Sequence, residues 1–386
     1  MTATAGQYQW LELSRSAYRS NIAFFRRLLG DRSRLAVVIK ANGYGHGITE
    51  TAGLARDNGV TQFCVHTIDE AAILRQAGFT ESILLLGPVP IARCGEVPAQ
   101  GVECVAYNEE HLAALEAAAA AAGKTIKVHL KVETGTNRQG VAAEKIAAVL
   151  SLLKRSPHLE LAAVYSHFAN IEDTTDHTYA MRQLARFDEL CDAVKKAGIP
   201  AFERHLASSA ATILFPKTHF DMVRVGIAQY GLWPSKETYL SYLTANGNGA
   251  DHILHPVLSW KTRIAQLKTL QSGEYIGYGC SYQTTRPTRI AILPIGYSDG
   301  YDRKLSNSGY ALVGGQRAPI RGRIAMNLTV LDVTDIPGVK LEDEVVLLGR
   351  QGSQEIKAET LAELAGTINY EMVSRIGSHI PRFVVE

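Results

Sequence analysis

The sequence predicts an α/β fold in which a (β/α)8 barrel comes first and a mainly β domain follows. Eight short apolar runs recur between residues 35 and 226 with helix-like segments between them. Eight such parallel units over ~200 residues are typical of a closed barrel rather than an open sheet. Beyond about residue 251 strand-like runs dominate. The chain of 386 residues is therefore expected to form two domains, residues 1–250 and 251–386.

The first domain begins with a strand at residues 10–13 and a helix from Ser16 to Leu29. Asn108 can cap a helix through EEHLAALEAAAAAA, which has acids in its first turn and Gly123 just beyond its end. A further long helix is expected over residues 178–196, before a glycine at 198. The predicted barrel strands are residues 35–40, 63–67, 83–87, 102–107, 127–133, 161–167, 204–208 and 221–226.

Small and turn-forming residues at 245–251, ANGNGAD, predict a linker before the second domain. Only residues 358–365 of that domain have a helical pattern. Its predicted strands are residues 258–267, 289–295, 311–313, 318–333 and 344–348.

Composition points to small-molecule partners. The 40 basic residues nearly balance the 38 acidic ones, so no strong field favours nucleic acid or an anionic membrane. No run approaches the ~18 apolar residues of a membrane span. The N-terminus has no secretory pattern, and five scattered cysteines without CxxC spacing argue against a disulfide framework or a zinc site. We expect a soluble, cytoplasmic protein without a metal. The cysteines are Cys64, Cys94, Cys104, Cys191 and Cys280.

A lysine followed by alternating glycines is the strongest sign of chemistry. The apolar run LAVVI leads into Lys40, and ANGYGHG follows. Desolvation at the mouth of a core lowers the pKa of a lysine, and a neutral amine can attack a carbonyl. Lysines at strand ends more often carry their charge into solvent. Alternating glycines, however, let a backbone approach a ligand closely, which a solvated strand end does not require.

The last two predicted strands end in groups suited to a phosphate. Strand seven ends in Ser208 and Ser209, and the end of strand eight carries Arg224, with Gly226 and Ile227 after it. Barrel enzymes often build a phosphate site from these two loops, where a hydroxyl and free backbone N–H groups can bind the anion. On residue type alone, the two serines are a turn or a helix cap. The lysine would share this rim, because strand one adjoins strand eight in a closed barrel.

These segments resemble the alanine racemases, and the resemblance runs from Trp10 to Arg382. KANGYGHG is similar to the family's cofactor-lysine motif, and residues 207–235 are similar to its phosphate-binding segment. The resemblance implies pyridoxal phosphate held on Lys40 as a Schiff base. It also implies racemisation of alanine by two bases on opposite faces, Lys40 for the D-enantiomer and Tyr278 for the L-enantiomer. The product would supply D-alanine for peptidoglycan, and a homodimer would share its active sites, with Tyr278 coming from the second subunit.

Further roles follow from the resemblance of KVETGTNRQGV, VYSHFAN, GYGCSY, IGYSDGYDR, RGRIAMN and INYEM to family segments. An arginine near the pyridine nitrogen would limit the ring as an electron sink, because guanidinium stays charged. For the phosphate, the implied residues are Tyr44, Ser209, Gly226, Ile227 and Tyr370, with Arg224 for the pyridine nitrogen and His167 between Arg224 and Tyr278. For the substrate they are Arg138, Met326 and Asn327, and for the substrate channel they are Tyr297, Arg303 and Arg323. Lys131 matches a lysine that is carbamylated in several members.

Some positions depart from the family pattern. Ala325 and Asn327 flank Met326 where Cys-Met-Asp is common, Ser208 replaces a frequent asparagine, and Asn137 stands where glycine or histidine is usual. Asn327 removes a charge near the substrate pocket, so a preference for alanine is the weakest part of the prediction. The sequence leaves open a serine or broad-specificity racemase, a decarboxylating relative and a non-catalytic carrier of pyridoxal phosphate.

Overall fold

The computed structural model describes residues 6–199, 201–247 and 254–386, which divide into two compact units. One unit consists of Tyr18–Ala41 and Thr51–His255, and we call it the barrel unit. The other joins the residues up to Ala17 with Asn42–Glu50 and Pro256–Glu386, and we call it the β unit. The first strand, β1 (Gln9–Ser14), belongs to the β unit. The predicted boundary at residue 250 and positions 248–251 of the predicted linker lie outside the described residues.

The barrel unit is built on eight parallel strands, as predicted. Their spatial order is β8-β7-β6-β5-β4-β3-β2-β9, and every neighbouring pair along this order is parallel. The backbone N–H of Arg224 donates to the carbonyl of Ala207 at 3.0 Å, which brings the two ends of the sheet together. The strands are β2 (Arg34–Val38), β3 (Gln62–Val65), β4 (Ser82–Leu85), β5 (Glu103–Ala106), β6 (Ile126–Lys131), β7 (Leu159–Tyr165), β8 (Glu203–His205) and β9 (Met222–Val225).

Helices follow the strands, and their ends obey local rules. The side chain of Asn108 accepts from the backbone N–H of His111, and Gly123 ends that helix in the left-handed region, as expected. None of the described helices is both long enough and apolar enough to cross a membrane. The helices from the start of the chain to residue 247 are α1 (Arg15–Leu29), α2 (Lys40–Tyr44), α3 (Ile48–Asp57), α4 (Ile68–Gln76), α5 (Glu96–Gln100), α6 (Glu109–Ala122), α7 (Ile146–Lys154), α8 (Thr178–Lys196), α9 (Ser209–Leu214) and α10 (Lys236–Asn246).

Among its described residues, the β unit contains two sheets and, beyond residue 357, two helices. Its larger sheet has the order β14-β13-β16-β10-β1-β18 with β17 paired to β16, and the smaller has the order β11-β12-β15. Strand β10 alternates buried and part-buried residues, as a strand with one face on the core does. Its elements are β10 (Leu258–Arg263), β11 (Gln266–Leu270), β12 (Thr288–Leu293), β13 (Tyr310–Val313), β14 (Gln316–Pro319), β15 (Thr329–Asp332), β16 (Glu344–Gln351), β17 (Gln354–Ile356), α11 (Ala358–Ala365), α12 (Asn369–Ser374) and β18 (Arg382–Val385).

Several predicted boundaries in the β unit are wrong. The run 258–267 is two strands, and the run 318–333 is two strands separated by the loop 320–328. Gly322 lies in this loop with φ of +76°. Glycine adopts this left-handed conformation readily, but a continuous strand does not contain it. A second helix, α12, follows α11 where only one was expected. In the barrel unit, residues 245 and 246 belong to α10 rather than to a linker.

Candidate active site

Lys40 lies beyond the end of its strand, in a turn of unusual handedness. Strand β2 ends at Val38, and φ is +54° at Ala41, +53° at Asn42, +62° at Gly43 and +53° at Tyr44. Left-handed backbone costs ~1–2 kcal/mol for each residue that has a Cβ. Ala41, Asn42 and Tyr44 therefore make this a strained turn that the surrounding structure has to hold in place.

Two side chains, one in the helix after β3 and one in the turn after β9, hold the backbone around the lysine. Glu70 accepts a hydrogen bond from the backbone N–H of Ala41 at 2.6 Å, while its other oxygen accepts from His66 and Thr67. Gln229 donates to the carbonyl of Val38 at 2.9 Å, just before the lysine. Neither residue was predicted from the sequence. For Glu70 the signal was present, because Thr67-x-x-Glu70 is a capping box.

Several basic groups share the electrostatic environment of Lys40. Burial lowers the pKa of Lys40, and the nearby positive charge of Arg138 lowers it further, while Glu70 works in the opposite direction. Burial followed by the charge of Arg138 also lowers the pKa of Lys131 to about 8. Lysines with lowered pKa values carry a larger neutral fraction, which is the nucleophilic form.

The residues on β6 and in the loop after it are close to each other. Nζ of Lys131 donates to Oε1 of Gln139 at 3.2 Å and lies 5.5 Å from the centre of the Tyr165 ring. Arg138 is exposed in the loop that follows. Its neighbour Asn137 has φ of +52°, and asparagine is one of the residues that tolerate this region.

Arg224 is buried inside the barrel among neutral partners. Its Nη1 donates to Nδ1 of His205 at 2.5 Å, and its Nη2 donates to the carbonyl of Ser166 at 2.9 Å. Nη2 also lies 3.5 Å from Nδ1 of His167, which places the predicted arginine and histidine together. The ring of Tyr165 faces the guanidinium at 5.1 Å. Burial and the charge of Arg224 together hold the pKa values of His167 and His205 well below the ordinary range, so both imidazoles are neutral.

The two serines stand at the start of α9, a few residues after β8 ends at His205. Oγ of Ser209 accepts from the backbone N–H of Gly226 at 2.9 Å, which ties the loops after β8 and β9 together. Ile227 directly follows and is buried. Oγ of Ser208 is buried, and no described residue offers it a hydrogen-bond partner. This rim can therefore offer hydroxyl groups to an anion.

In the β unit, the glycine-rich segment packs against α12. A Cβ on Gly45 would lie 1.9 Å from the carbonyl oxygen of Val373, so that position admits only glycine. We expected these glycines to admit a ligand, and at Gly45 the close approach is to the chain's own backbone. The rings of Tyr44 and Tyr370 lie 6.2 Å apart, so two predicted phosphate residues are neighbours. Arg382 donates to the carbonyl of Gly45 at 2.9 Å and fixes the segment from the other side.

The remaining predicted residues form an exposed face of the β unit, which we call the tyrosine face. Tyr278 is 74% exposed, and a Cβ on its neighbour Gly279 would lie 2.7 Å from Nη1 of Arg323. The backbone N–H of Tyr297 donates to the carbonyl of Ala325 at 3.1 Å. The face is thus built from three adjoining loops, residues 275–282, 296–300 and 321–328. Its side chains are Tyr275, Tyr278, Tyr297, Arg323, Met326, Asn327 and Leu328.

Two polar details complete this face. Nδ2 of Asn327 donates to Oγ of Ser298 at 2.7 Å, so the residue that departs from the family pattern is held by a neighbouring loop. Arg303 opens a short 3₁₀ turn and is exposed. The structure thus groups the predicted residues into two sets, one around the barrel rim and one in the β unit.

A barrel rim with a part-buried lysine, three further cations and a hydroxyl pair defines an enzyme of the class that binds an anionic cofactor or substrate at the strand ends. Comparison with known proteins makes this specific. Residues 13–234 match the family model described as alanine racemase, N-terminal domain, and residues 257–384 match alanine racemase, C-terminal domain. The chain belongs to the alanine racemase family, whose members are isomerases acting on amino acids.

Relatives and solved structures agree over the whole chain. An alanine racemase of Leptospira interrogans is 40% identical over 380 residues, covering 98% of this chain and 96% of that protein. Another, from Desulfosudis oleivorans, is 40% identical with 97% and 95% covered. The alanine racemase structure from Streptomyces coelicolor superposes with a TM-score of 0.91 at 33% identity, covering 99% of both chains. The Bacillus anthracis enzyme with bound L-Ala-P has a TM-score of 0.89 at 33% identity, with 98% and 95% covered.

Proposed function

We propose that this protein uses pyridoxal phosphate to interconvert L- and D-alanine by a two-base mechanism. The observation that carries the proposal is the grouping of Lys40, Lys131, Arg138, His167 and Arg224 within one electrostatic cluster at the strand ends of the barrel. A full-length match to alanine racemases supports the same activity. The product would serve as D-alanine for peptidoglycan in the cytoplasm.

The donor set of the barrel rim fits the cofactor. A phosphate needs hydroxyl and N–H donors, and the buried Oγ of Ser208, which lacks a partner among the described residues, stands beside Ser209 at the rim. Ser209, Gly226 and Ile227 would hold the phosphate, and Tyr44 and Tyr370 are the further phosphate residues that the family resemblance implies. When bound, pyridoxal phosphate supplies an electron-withdrawing ring that makes the Cα proton of the attached amino acid acidic.

Charged side chains would orient the cofactor and substrate. Arg224 stays protonated at neutral pH although burial lowers its pKa, so it can only donate toward a pyridine nitrogen. Arg224 would thereby leave that nitrogen without a proton and limit the ring as an electron sink. Arg138 would pair with the carboxylate of the amino acid. Lys131 would reinforce Arg138 after reacting with carbon dioxide, because a carbamate places a negative charge near that guanidinium.

Inversion at Cα requires proton transfer on both faces, because removal and return on one face regenerate the same enantiomer. Nζ of Lys40 would take and return the proton on the face from which D-alanine loses it. The phenolic oxygen of Tyr278 would do so on the opposite face. The exposure of Tyr278 on the tyrosine face suits a residue that acts in another subunit.

We propose a homodimer in which the tyrosine face of each subunit completes the site of its partner. Large apolar side chains on that face are exposed together, with Met326 at 55% and Leu328 at 48%, and such patches mark interaction sites. Dilution tests the proposal, with sedimentation velocity and racemisation measured in the same series. Specific activity is expected to fall as the monomer fraction rises. Full activity in a monomeric species would contradict a shared site.

The decisive test of the activity is chiral chromatography of the products formed from L-alanine and from D-alanine by the purified protein with added pyridoxal phosphate. Both reactions are expected to reach the same racemic mixture without release of carbon dioxide. Gas evolution would indicate a decarboxylase. If neither enantiomer exchanges its Cα proton for deuterium in deuterated water, the protein is a carrier rather than a racemase.

Substrate range is tested separately, because Asn327 stands where relatives carry an aspartate. Rates for alanine, serine and lysine distinguish a selective alanine racemase from a serine or broad-specificity enzyme. We expect alanine to react fastest. A higher kcat/KM for serine would assign the protein to the second class and leave the cofactor and the two bases as proposed.

A further inference from the structure

A continuous chain of hydrogen bonds runs through the interior of the barrel and ends on Arg224. Oε2 of Glu103 lies 2.9 Å from Nε2 of His129, and Nδ1 of His129 lies 2.8 Å from Nε2 of His205. Nδ1 of His205 then accepts from Nη1 of Arg224 at 2.5 Å. Both imidazoles are almost fully buried, at 1% and 0% exposure. Glu103 opens β5 and Arg224 lies within β9, so the chain crosses the barrel core.

The two ends of this chain fix its direction. A guanidinium can only donate, so Nδ1 of His205 must accept and its proton must be on Nε2. That proton points to Nδ1 of His129, which must therefore also accept, and the proton of His129 is on Nε2 as well. The Nε2–H of His129 then donates to the carboxylate of Glu103, which can only accept. Two neutral imidazoles with Nε2–H thus satisfy every link without an unpaired group.

The electrostatics of the groups agree with this arrangement. Burial works to raise the pKa of Glu103, but the hydrogen bonds donated by His129 and Ser82 lower it, so the pKa is lowered and the group is a carboxylate. Oγ of Ser82 donates to its other oxygen at 2.7 Å. At the opposite end, the ring of Tyr165 stacks on His205 at 4.7 Å with an angle of 10° between the planes, which restricts rotation of that imidazole.

We propose that Glu103 and His129 are positioning residues that act through His205 to hold Arg224 as a fixed, charged donor toward the bound pyridine ring. The proposal rests on the proposed function, because the ring belongs to the cofactor. Without an acceptor at position 103, the ring proton of His129 finds a hydrogen-bond acceptor only if it moves from Nε2 to Nδ1. His205 would then carry its proton on Nδ1 and present it to the guanidinium, which also donates. Arg224 would lose its partner and its fixed orientation.

The first test measures the tautomers directly in the unmodified protein. Histidine labelled with ¹⁵N distinguishes Nε2–H, Nδ1–H and imidazolium by ring chemical shifts, and variants His129→Gln and His205→Gln assign the signals. Spectra are recorded with and without pyridoxal phosphate. Both rings are expected to be neutral Nε2–H tautomers in both states. An Nδ1–H proton or an imidazolium on either ring overturns the proposal.

The second test compares two substitutions that differ only in the acceptor. Glu103→Gln keeps an oxygen that can accept from His129, whereas Glu103→Met has a similar length and no such oxygen. Leaving a buried donor unpaired is expected to weaken pyridoxal phosphate binding and lower kcat about tenfold or more in the methionine variant. It should also move the ¹⁵N signal of His205 and change the visible absorption of the bound cofactor. The glutamine variant should recover most of the loss.

A matched control lies elsewhere on the same barrel. Glu116 accepts from Nδ1 of His158 at 2.8 Å, and this pair has no link to Arg224. Glu116→Met should leave kcat, cofactor affinity and the His205 signal unchanged. Equal losses in the two Glu103 variants, or an unmoved His205 signal in Glu103→Met, would overturn the positioning role. A protein with both Nε2–H rings that neither binds the cofactor nor racemises alanine would instead overturn the proposed function, and the role of the chain with it.

Discussion

The barrel rim and the tyrosine face present their polar side chains in opposite ways. Arg224 is 4% exposed and held by neighbours on three sides, whereas Tyr278 is 74% exposed. Burial shifts the pKa values of the barrel lysines, because a charge far from water is disfavoured. The contrast is the one that the proposed dimer requires: buried, electrostatically tuned groups on the barrel rim, and an exposed tyrosine that would act in a partner's site.

The largest effect is expected when Lys40 is removed from the barrel rim. Lys40→Ala removes both the cofactor attachment and one base, so racemisation should fall by about 10³-fold or more. Chiral chromatography of L-alanine after long incubation measures the loss. Lys127→Ala is the matched control, because this lysine is exposed on β6 and far from the rim. A Lys40→Ala enzyme with activity near that of the control would break the assignment of the barrel as the chemical centre.

The tyrosine face is tested by Tyr278→Phe, which removes only a hydroxyl. One of two proton transfers then lacks its base, and racemisation should fall by roughly 10²- to 10⁴-fold. Exchange of the Cα proton of D-alanine with deuterated water should survive better, since Lys40 serves that face. Tyr275→Phe removes a hydroxyl from the same loop and is the control. Equal losses in the two variants, or equal loss of exchange for both enantiomers, would contradict a face-specific role.

A smaller effect, on cofactor affinity, is expected when a serine of the barrel rim is substituted. Ser209→Ala removes the hydroxyl that links the loops after β8 and β9, and hydrogen bonds to charged groups contribute ~1.5–3 kcal/mol. The dissociation constant of pyridoxal phosphate should therefore rise about tenfold or more, as measured by fluorescence titration. Ser156→Ala removes a buried hydroxyl just beyond the end of α7, which donates to the carbonyl of Leu152, and should leave that constant unchanged. An unchanged constant in Ser209→Ala would remove this residue from the cofactor site.

The smallest effect concerns Lys131. Its pKa is lowered to about 8, so the amine is mostly protonated at pH 7 and mostly neutral at pH 9. Only the neutral amine reacts with carbon dioxide, and the carbamate signal in ¹³C-bicarbonate NMR should rise through this interval. Lys131→Met should lack the signal. A signal that stays flat between pH 7 and 9 would show that burial does not control this lysine.

The sequence predicted the barrel better than the β unit, for a physical reason. Buried parallel strands such as QFCV and MVRV are continuous apolar or mostly apolar runs, so they are visible one at a time. Antiparallel strands of the β unit depend on partners distant in sequence. The run 318–333 therefore looked continuous although Gly322 and its neighbours form a loop.

Site residues could be predicted where a motif carries them and not where a network does. Lys40, Ser209 and Arg224 lie at strand ends in segments that resemble the family. Gln229 and His205 do not stand out in the sequence, because their importance lies in partners on other strands. The left-handed turn after the lysine was also not foreseen, although its glycines gave a partial signal.

Borohydride reduction followed by peptide mass spectrometry tests the central claim most directly. The protein as purified, supplied with pyridoxal phosphate, is reduced, digested and analysed for the added pyridoxyl mass. We expect the modification on the peptide that contains Lys40, with other lysines, including Lys127 and Lys131, unmodified. A pyridoxyl group on a different lysine, or on none, would contradict the assignment of Lys40 and the account built around it.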